Sequence, residues 1–325
     1  MNILIFGGAG FVGINSASAL LARGHAVTLF DRIGLPRAAQ QAFAAYGDAL
    51  SVVKGDLTEA RAVEAILARD FDAIVLGAAI TAGPEREAAD PQSILQVNLM
   101  AQLPVLMAVR RNGATRIINL SSGSALGAAA FRHVLLDEET PCEPVSLYAI
   151  TKFASERVAA RLAALWQADF ISVRLSGVFG PWERLTGVRD TPSPQMQIIA
   201  ALRQRKEAVL ARPGLRDWIY APDVADAVTV LVEASKPKYG LYNISTGREW
   251  TALQWGQHLA DLNAGFVCRL AKPGEAPTVD LHSEADRAPL SISRMEQEFG
   301  WRARYGCADS AAELNEWWIR HGEGM

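Results

Sequence analysis

The stretch Asn2-Ile3-Leu4-Ile5-Phe6-Gly7-Gly8-Ala9-Gly10-Phe11-Val12-Gly13 decides how the chain folds. Its apolar first part reads as a short buried strand that leaves no room for a leader ahead of it. The glycines read as a tight turn, and the Ala-rich run that follows to Arg23 reads as a helix. Gly7 can take φ values closed to other residues. Gly10 lets the backbone approach a pyrophosphate, and Gly13 lets the helix pack close to the strand. The free N–H groups and the positive dipole end of the helix then face that pyrophosphate. Strand, turn and helix in this order predict a dinucleotide-binding unit. A second strand over residues 26–30 runs into Asp31, where an acid is expected to receive the adenine ribose hydroxyls. A carboxylate there repels a 2′-phosphate and favours NAD over NADP, while Arg32 beside it could pair with that phosphate.

Working outward, strands and helices alternate. Residues 50–54 read as a strand leading to Gly55-Asp56-Leu57 and a helix over 58–68. A strand at 72–76 ends in Gly77-Ala78-Ala79. A long helix is expected from Pro91 to about Arg111, a strand over 115–120, a helix over 145–166 and a strand over 170–175. This order predicts an α/β fold with a doubly wound parallel sheet, right-handed crossovers, and ligands beyond the carboxyl ends of the strands. After Gly180 proline and charge become commoner and the elements shorter. Helices are expected at 195–204, 223–234, 253–262, 292–299 and 311–319, with strands at 217–220 and 241–244. Residues 1–180 are therefore read as the dinucleotide-binding domain and 181–325 as a smaller α/β lobe for the substrate, some of its segments returning to the main sheet.

Composition sets the outer bounds. The chain has 325 residues, half of them hydrophobic, and a formal charge of −3. No basic block points to nucleic acid. Cys142, Cys268 and Cys307 are scattered without metal-binding spacing, which predicts reduced thiols, a cytoplasmic setting and no metal. No stretch approaches 18 uninterrupted apolar residues, so no membrane span is expected.

Tyr148 and Lys152 carry the chemistry. Four residues apart on a helix, they share one face. An ammonium near a phenol favours the phenolate and lowers the tyrosine pKa from about 10. Such a tyrosine can take a proton from an alcohol or give one to a carbonyl near neutral pH.

Gly7-x-x-Gly10-x-x-Gly13, Asp31, Gly55-Asp56-Leu57, Asn98, Ser121-Ser122-Gly123-Ser124-Ala125-Leu126-Gly127, Tyr148-x-x-x-Lys152 and Arg174-x-x-x-Val178-Phe179-Gly180-Pro181 occur in that order. Together they resemble the extended short-chain dehydrogenase/reductases, in particular the NAD-dependent epimerase/dehydratase family of nucleotide-sugar enzymes. The likeness continues through Arg216-Asp217-Trp218-Ile219-Tyr220-x-x-Asp223-Val224 to Phe299-Gly300-Trp301. It implies a Rossmann sheet, an NAD cofactor and hydride transfer at the nicotinamide. It makes Tyr148 the acid/base, Lys152 the holder of the nicotinamide ribose, and Ser122 the hydroxyl that binds the reacting oxygen. Phe11, Val12, Asp56, Leu57, Ala78, Ala79, Ser121, Leu175 and Val178 match the rest of the cofactor site. Ser124, Gly177, Arg216 and Lys272 match substrate positions. Asn98 reads as a structural amide. A homodimer through helices near 92–110 and 146–166 is also implied, Ala154, Ala159 and Ala160 allowing close approach.

Departures narrow the reaction. Where a dehydratase carries an Asp-Glu pair stand Gly123 and Ser124, which argues against dehydration. Gly177 replaces an asparagine that donates to a diphosphate, and Lys272 stands where an arginine commonly clamps phosphate. Arg216 remains as a diphosphate contact. Three readings stay open: a sugar-nucleotide epimerase of the UDP-sugar 4-epimerase kind, a dehydrogenase or reductase of a free sugar, sugar acid or other carbonyl compound, and a non-catalytic dinucleotide sensor.

Overall fold

A computed structural model of the chain describes residues 1–112 and 115–322. The chain opens with β1 (Asn2–Phe6), the glycine turn and α1 (Phe11–Ala22), followed by β2 (Ala26–Asp31), α2 (Arg37–Phe43), β3 (Leu50–Lys54), α3 (Ala60–Leu67) and β4 (Ala73–Leu76). Next come α4 (Pro84–Ala89), α5 (Pro91–Leu95), α6 (Gln102–Asn112), β5 (Arg116–Ser122), α7 (Leu147–Trp166) and β6 (Phe170–Leu175). The remainder holds β7 (Val178–Phe179), α8 (Pro194–Arg203), β8 (Ala208–Leu210), β9 (Leu215–Arg216), β10 (Ile219–Tyr220), α9 (Ala221–Glu233) and β11 (Leu241–Ile244). It closes with β12 (Trp250–Thr251), α10 (Ala252–Leu262), β13 (Cys268–Leu270), α11 (Ser293–Phe299) and α12 (Cys307–His321).

Among the described residues the main sheet has seven strands in the order β11-β6-β5-β4-β1-β2-β3, every pair parallel. It is the doubly wound Rossmann sheet that the alternation of elements predicts. Burial on both faces explains the near-continuous apolar run of β1. Ile3 and Ile5 point into a core shared with α1, α2 and α9, while Leu4 and Phe6 point into one shared with α3, α6 and α7. Strand order reverses at β1, between β2 and β4, and the crevice beyond its carboxyl end is the ligand position for this topology.

Two expectations need correction, the helix at 91–111 and the strand at 217–220. The helix expected from Pro91 to Arg111 is interrupted by a π turn over Gln96–Met100. At that turn the Asn98 amide accepts from the Ile80 N–H (2.7 Å) and donates to Ile80 O (3.0 Å) and Thr151 Oγ1 (3.2 Å), tying the loop after β4 to α7. Pro91–Arg110 is also long and apolar enough, by length and composition, to cross a membrane. Here Ile94, Val105, Leu106 and Val109 from that run are buried in the chain's own core. The strand expected at 217–220 shrinks to Ile219–Tyr220 because Asp217, fully buried, turns the chain. Its carboxylate accepts from Ser176 Oγ, Ser245 Oγ, Leu290 N and Arg287 Nη2 at 2.6–2.9 Å.

Candidate active site

The glycine turn is sterically closed on one side and open on the other. Gly7 has φ +75°, and a Cβ there would lie 2.6 Å from Ala78 N. A Cβ on Gly13 would lie 2.5 Å from Gly7 O, so this glycine serves the packing of α1 on the turn. Beyond the turn lies a solvent-open cleft, with Gly7, Gly10, Asp31 and Arg32 on its walls together with Asp56, Leu57, Ala78 and Ala79. One Asp31 oxygen accepts from the Ala9 N–H (3.0 Å) and the other from the Ile33 N–H (3.2 Å), which fixes the carboxylate at the mouth of the cleft. Arg32 is paired with Asp56 at 3.8 Å. An open groove at the N-terminus of α1, whose floor tolerates no side chain at Gly7 and whose mouth carries the Asp31 carboxylate, has the form of a dinucleotide site. Phe11 and Val12 are half-buried in the first turn of α1.

The acid/base residues gather at the carboxyl end of β5. Ser122 ends that strand, and its Oγ accepts from Ser124 N (3.1 Å) and donates to Ser124 Oγ (3.2 Å). Helix α7 starts beside it. Ser146 Oγ caps it through Ala149 N (3.1 Å), and Glu87 Oε1 accepts from Tyr148 N (3.2 Å), a carboxylate placed at the positive helix end. The Tyr148 carbonyl accepts from Thr151 Oγ1 at 2.9 Å, which ties the first turn of α7 together. Lys152 is 2 % exposed; its Nζ donates to Leu120 O at 2.7 Å and lies 5.9 Å from the Tyr148 ring centroid. Burial lowers the Lys152 pKa to about 8, opposed by Glu156 one turn on.

The direction of the tyrosine shift differs from the expectation. Burial pushes the Tyr148 phenol above its ordinary pKa, and the groups that pull it back are Ser122, Thr81 and Arg189. Lys152 does not lead here because its ammonium is aimed at the Leu120 carbonyl.

Ser121 turns away into the interior. Its Oγ donates to Glu156 Oε1 (2.5 Å), and Arg174 reaches the same carboxylate from β6, with Nη2 to Oε2 at 2.8 Å. Leu175 and Val178, at the ends of the next strands, are buried.

On the substrate side, Gly177 lies under Trp218: a Cβ there would come within 2.5 Å of the indole. Arg216 stacks on the other part of this arrangement, 4.8 Å from the Trp218 ring centroid, and forms no ion pair with any described residue. Burial, with Arg287 and Arg212 nearby, lowers its pKa to about 9. A guanidinium flanked by cations is a ready anion partner. Lys272 is not brought to it. That lysine is exposed in the turn after β13, its backbone N–H bonded to Glu275. Ser124 is exposed beside Ser122.

The sequence reading missed the segment 182–193, which straps the cleft. Thr186 and Val188 line the same cavity as Gly7 and Ala78. Arg184 Nη2 donates to Ala9 O across the glycine turn (2.7 Å). Thr81 N donates to Val188 O (2.7 Å) and Asp190 N to Thr81 O (3.2 Å). Arg86 pairs with Asp190 at 3.1 Å. No periodicity or motif marks these residues; only the preceding Gly180-Pro181 announces a loop.

Comparison with known proteins agrees with this geometry. Residues 3–245 match the model of the NAD dependent epimerase/dehydratase family. A UDP-glucose 4-epimerase of Mycolicibacterium smegmatis is 25% identical over 97% of this chain and 98% of its own length. A dTDP-glucose 4,6-dehydratase of the same organism is 28% identical over 70% of this chain and 67% of its own. The fold also matches a UDP-glucuronic acid 4-epimerase from Bacillus cereus solved with NAD, with TM-score 0.79, 19% identity and coverage of 98% and 99% of the two chains. With residues 3–245, a span that holds the glycine turn, the seven-stranded sheet and the Tyr148 helix, matched by its model, the chain is an enzyme of the NAD dependent epimerase/dehydratase family.

Proposed function

We propose that the protein is an NAD-dependent sugar-nucleotide epimerase of the UDP-sugar 4-epimerase kind. The observation that carries this reading is that Ser122 at the carboxyl end of β5 and Tyr148 and Lys152 at the start of α7 come together, Lys152 bonded to Leu120 O of β5 at 2.7 Å, at the same end of the sheet as the cleft beside the glycine turn. Asp31 at the cleft mouth, with Arg32 already paired to Asp56, favours NAD over NADP. A bound nicotinamide supplies a hydride acceptor that becomes a hydride donor. Tyr148, entering the cycle as its phenolate, takes the proton from the substrate hydroxyl as it becomes a carbonyl, and the resulting phenol returns it when the carbonyl is reduced. Ser122 donates to the reacting oxygen and orients it. Lys152 holds ribose hydroxyls while charged, below about pH 8. Arg216 meets the diphosphate.

Two features support epimerisation over the alternatives. Gly123 and Ser124 supply no acid/base pair for water loss, and the strap over the cleft suits a cofactor that is regenerated in place and need not leave. The second reading, a dehydrogenase or reductase of a free sugar or sugar acid, is favoured by Trp218 filling the space above Gly177 and by Lys272 lying exposed, since both weaken a diphosphate site. Residues 1–180 carry the cofactor in this reading. The substrate lobe is residues 181–325, from which β11 and α9 join the main sheet and its core. The enzyme acts as a homodimer through α5–α6 and α7, where Leu95, Met100, Met107, Ile150 and Leu165 are exposed apolar residues; Ala160 is exposed there, whereas Ala159 is buried in the chain's own core.

Incubation of the purified protein with NAD and a panel of UDP- and dTDP-sugars, free sugars and sugar acids tests this. Epimer formation without net NADH is the expected result. Stoichiometric NADH with an unlinked sugar or sugar acid, and no epimer, overturns it.

A further inference from the structure

We propose that Arg86 and Glu87, adjacent in α4, are positioning residues that brace the strap over the dinucleotide cleft against the first turn of the Tyr148 helix. One short element then sets both the hold on the cofactor and the placement of the acid/base helix. This rests on the reading above only in taking the cleft as the dinucleotide site.

Helix α4 has no buried face to fix it. None of its six residues, Pro84–Ala89, is buried, and a helix this short does not hold its form without outside partners. Its partners are polar and lie on two sides. Successive helical residues point about 100° apart, so Arg86 and Glu87 serve different neighbours. Arg86 Nη1 donates to Asp190 Oδ1 (3.1 Å) and to Gly187 O (2.7 Å), both in the strap. Asp190 Oδ2 accepts in turn from the N–H of Gly83, the residue that opens α4 (2.8 Å). On the other side Glu87 Oε1 accepts from the Tyr148 N–H at 3.2 Å. An N–H in the first turn of a helix has no partner within that helix, so Glu87 fills a place that α7 leaves open.

The strap has a firm root and a looser tip. At the root Trp182 packs edge-on against Trp317, with ring centroids 4.8 Å apart, and the buried Glu183 accepts from Ser193 N and Ser193 Oγ, both at 2.7 Å. At the tip Thr186 and Val188 form part of the cleft wall. The tip is held by the Thr81 backbone, through Thr81 N to Val188 O and Asp190 N to Thr81 O, and by Arg86. The Arg86 and Asp190 side chains are 27% and 33% exposed, so water reaches this tie, whereas the Glu183 side chain at the root is 2% exposed. Opening the tip uncovers the cleft and leaves the root in place. Among the described residues, Glu87 is neither on the cleft wall nor bonded to the strap. Any effect it has on cofactor release therefore passes through α4.

The test is the rate at which NADH leaves the loaded enzyme when chased with excess NAD, read as the loss of NADH fluorescence. Arg86→Gln and Asp190→Asn are each expected to speed release by about three- to tenfold, the effect of losing a partly exposed pair and a charged hydrogen bond. Glu87→Ala speeds it by about threefold or more, whereas Glu87→Gln, which keeps an acceptor for the Tyr148 N–H, stays within about twofold of the wild type. Either change frees the same element, so Arg86→Gln/Glu87→Ala is expected within about twofold of the faster single variant and not at the product of the two. A wild-type release rate in Arg86→Gln or in Glu87→Ala, or a double variant at the product, overturns the brace. Those results leave the epimerase reading standing, since that reading is judged by epimer formation. NADH that does not bind the wild type at all overturns the brace and the cofactor reading together.

Discussion

Tyr148→Phe is expected to lower turnover by about 10²–10⁴-fold, the range for loss of a positioned acid/base, while NAD affinity changes by no more than about twofold. Tyr148 lies in the first turn of α7 and is not among the residues that line the cleft at the glycine turn. The ring itself is not asked to move. Helix α7 keeps its Ser146 cap, and Lys152 keeps its bond to Leu120 O, because neither uses the phenol oxygen. The variant therefore removes one proton carrier from an otherwise intact site. Steady-state turnover and calorimetric NAD binding read the two halves of the expectation. Unchanged turnover removes Tyr148 from the chemistry; lost NAD binding moves its role to the cofactor.

The largest stability effect is expected at Arg174→Met. Arg174 and Glu156 are 3 % and 4 % exposed and meet at 2.8 Å between β6 and α7. The guanidinium also donates to Cys142 Sγ (3.1 Å), and Ser121 Oγ donates to Glu156. Removing the arginine leaves a buried carboxylate with one hydroxyl partner, a loss of about 3–5 kcal/mol for a buried pair broken on one side. Chemical denaturation should show the unfolding midpoint falling accordingly, and Glu156→Gln/Arg174→Met should recover part of the loss because the stranded charge is gone. A loss under about 1 kcal/mol in the single variant contradicts this account of how α7 is held to the sheet.

How much of this was legible in the sequence depended on whether the determinant was local. The β1–turn–α1 unit could be read because strand period, glycine sterics and helix dipole all act within the twelve consecutive residues 2–13. The spacing of Tyr148 and Lys152 gave a shared helix face. It could not give the direction of the Lys152 ammonium, which is set by a carbonyl on β5, and so the sign of the Tyr148 shift was read wrongly. Likewise Ser121 matched a cofactor position, yet its side chain is claimed by Glu156 from α7. The strap at 182–193 has no repeat, period or motif; only its pairing with Thr81 makes it part of the cleft. Lys272 matches a phosphate position only by its order in the chain, and the turn after β13 leaves it exposed. The cations that surround Arg216 come instead from residues 212 and 287, which Asp286 and Asp217 hold in place through pairing.

A crystal structure of the protein with NAD tests the central claim most directly. The account predicts the pyrophosphate on the N-terminus of α1 at Gly10, the adenine ribose beside Asp31, Lys152 within about 3 Å of a ribose hydroxyl, and the Tyr148 oxygen beside the nicotinamide ring with space for one substrate carbon between them. A nicotinamide ring lying away from Tyr148 and Ser122, on the far side of the strap, contradicts it.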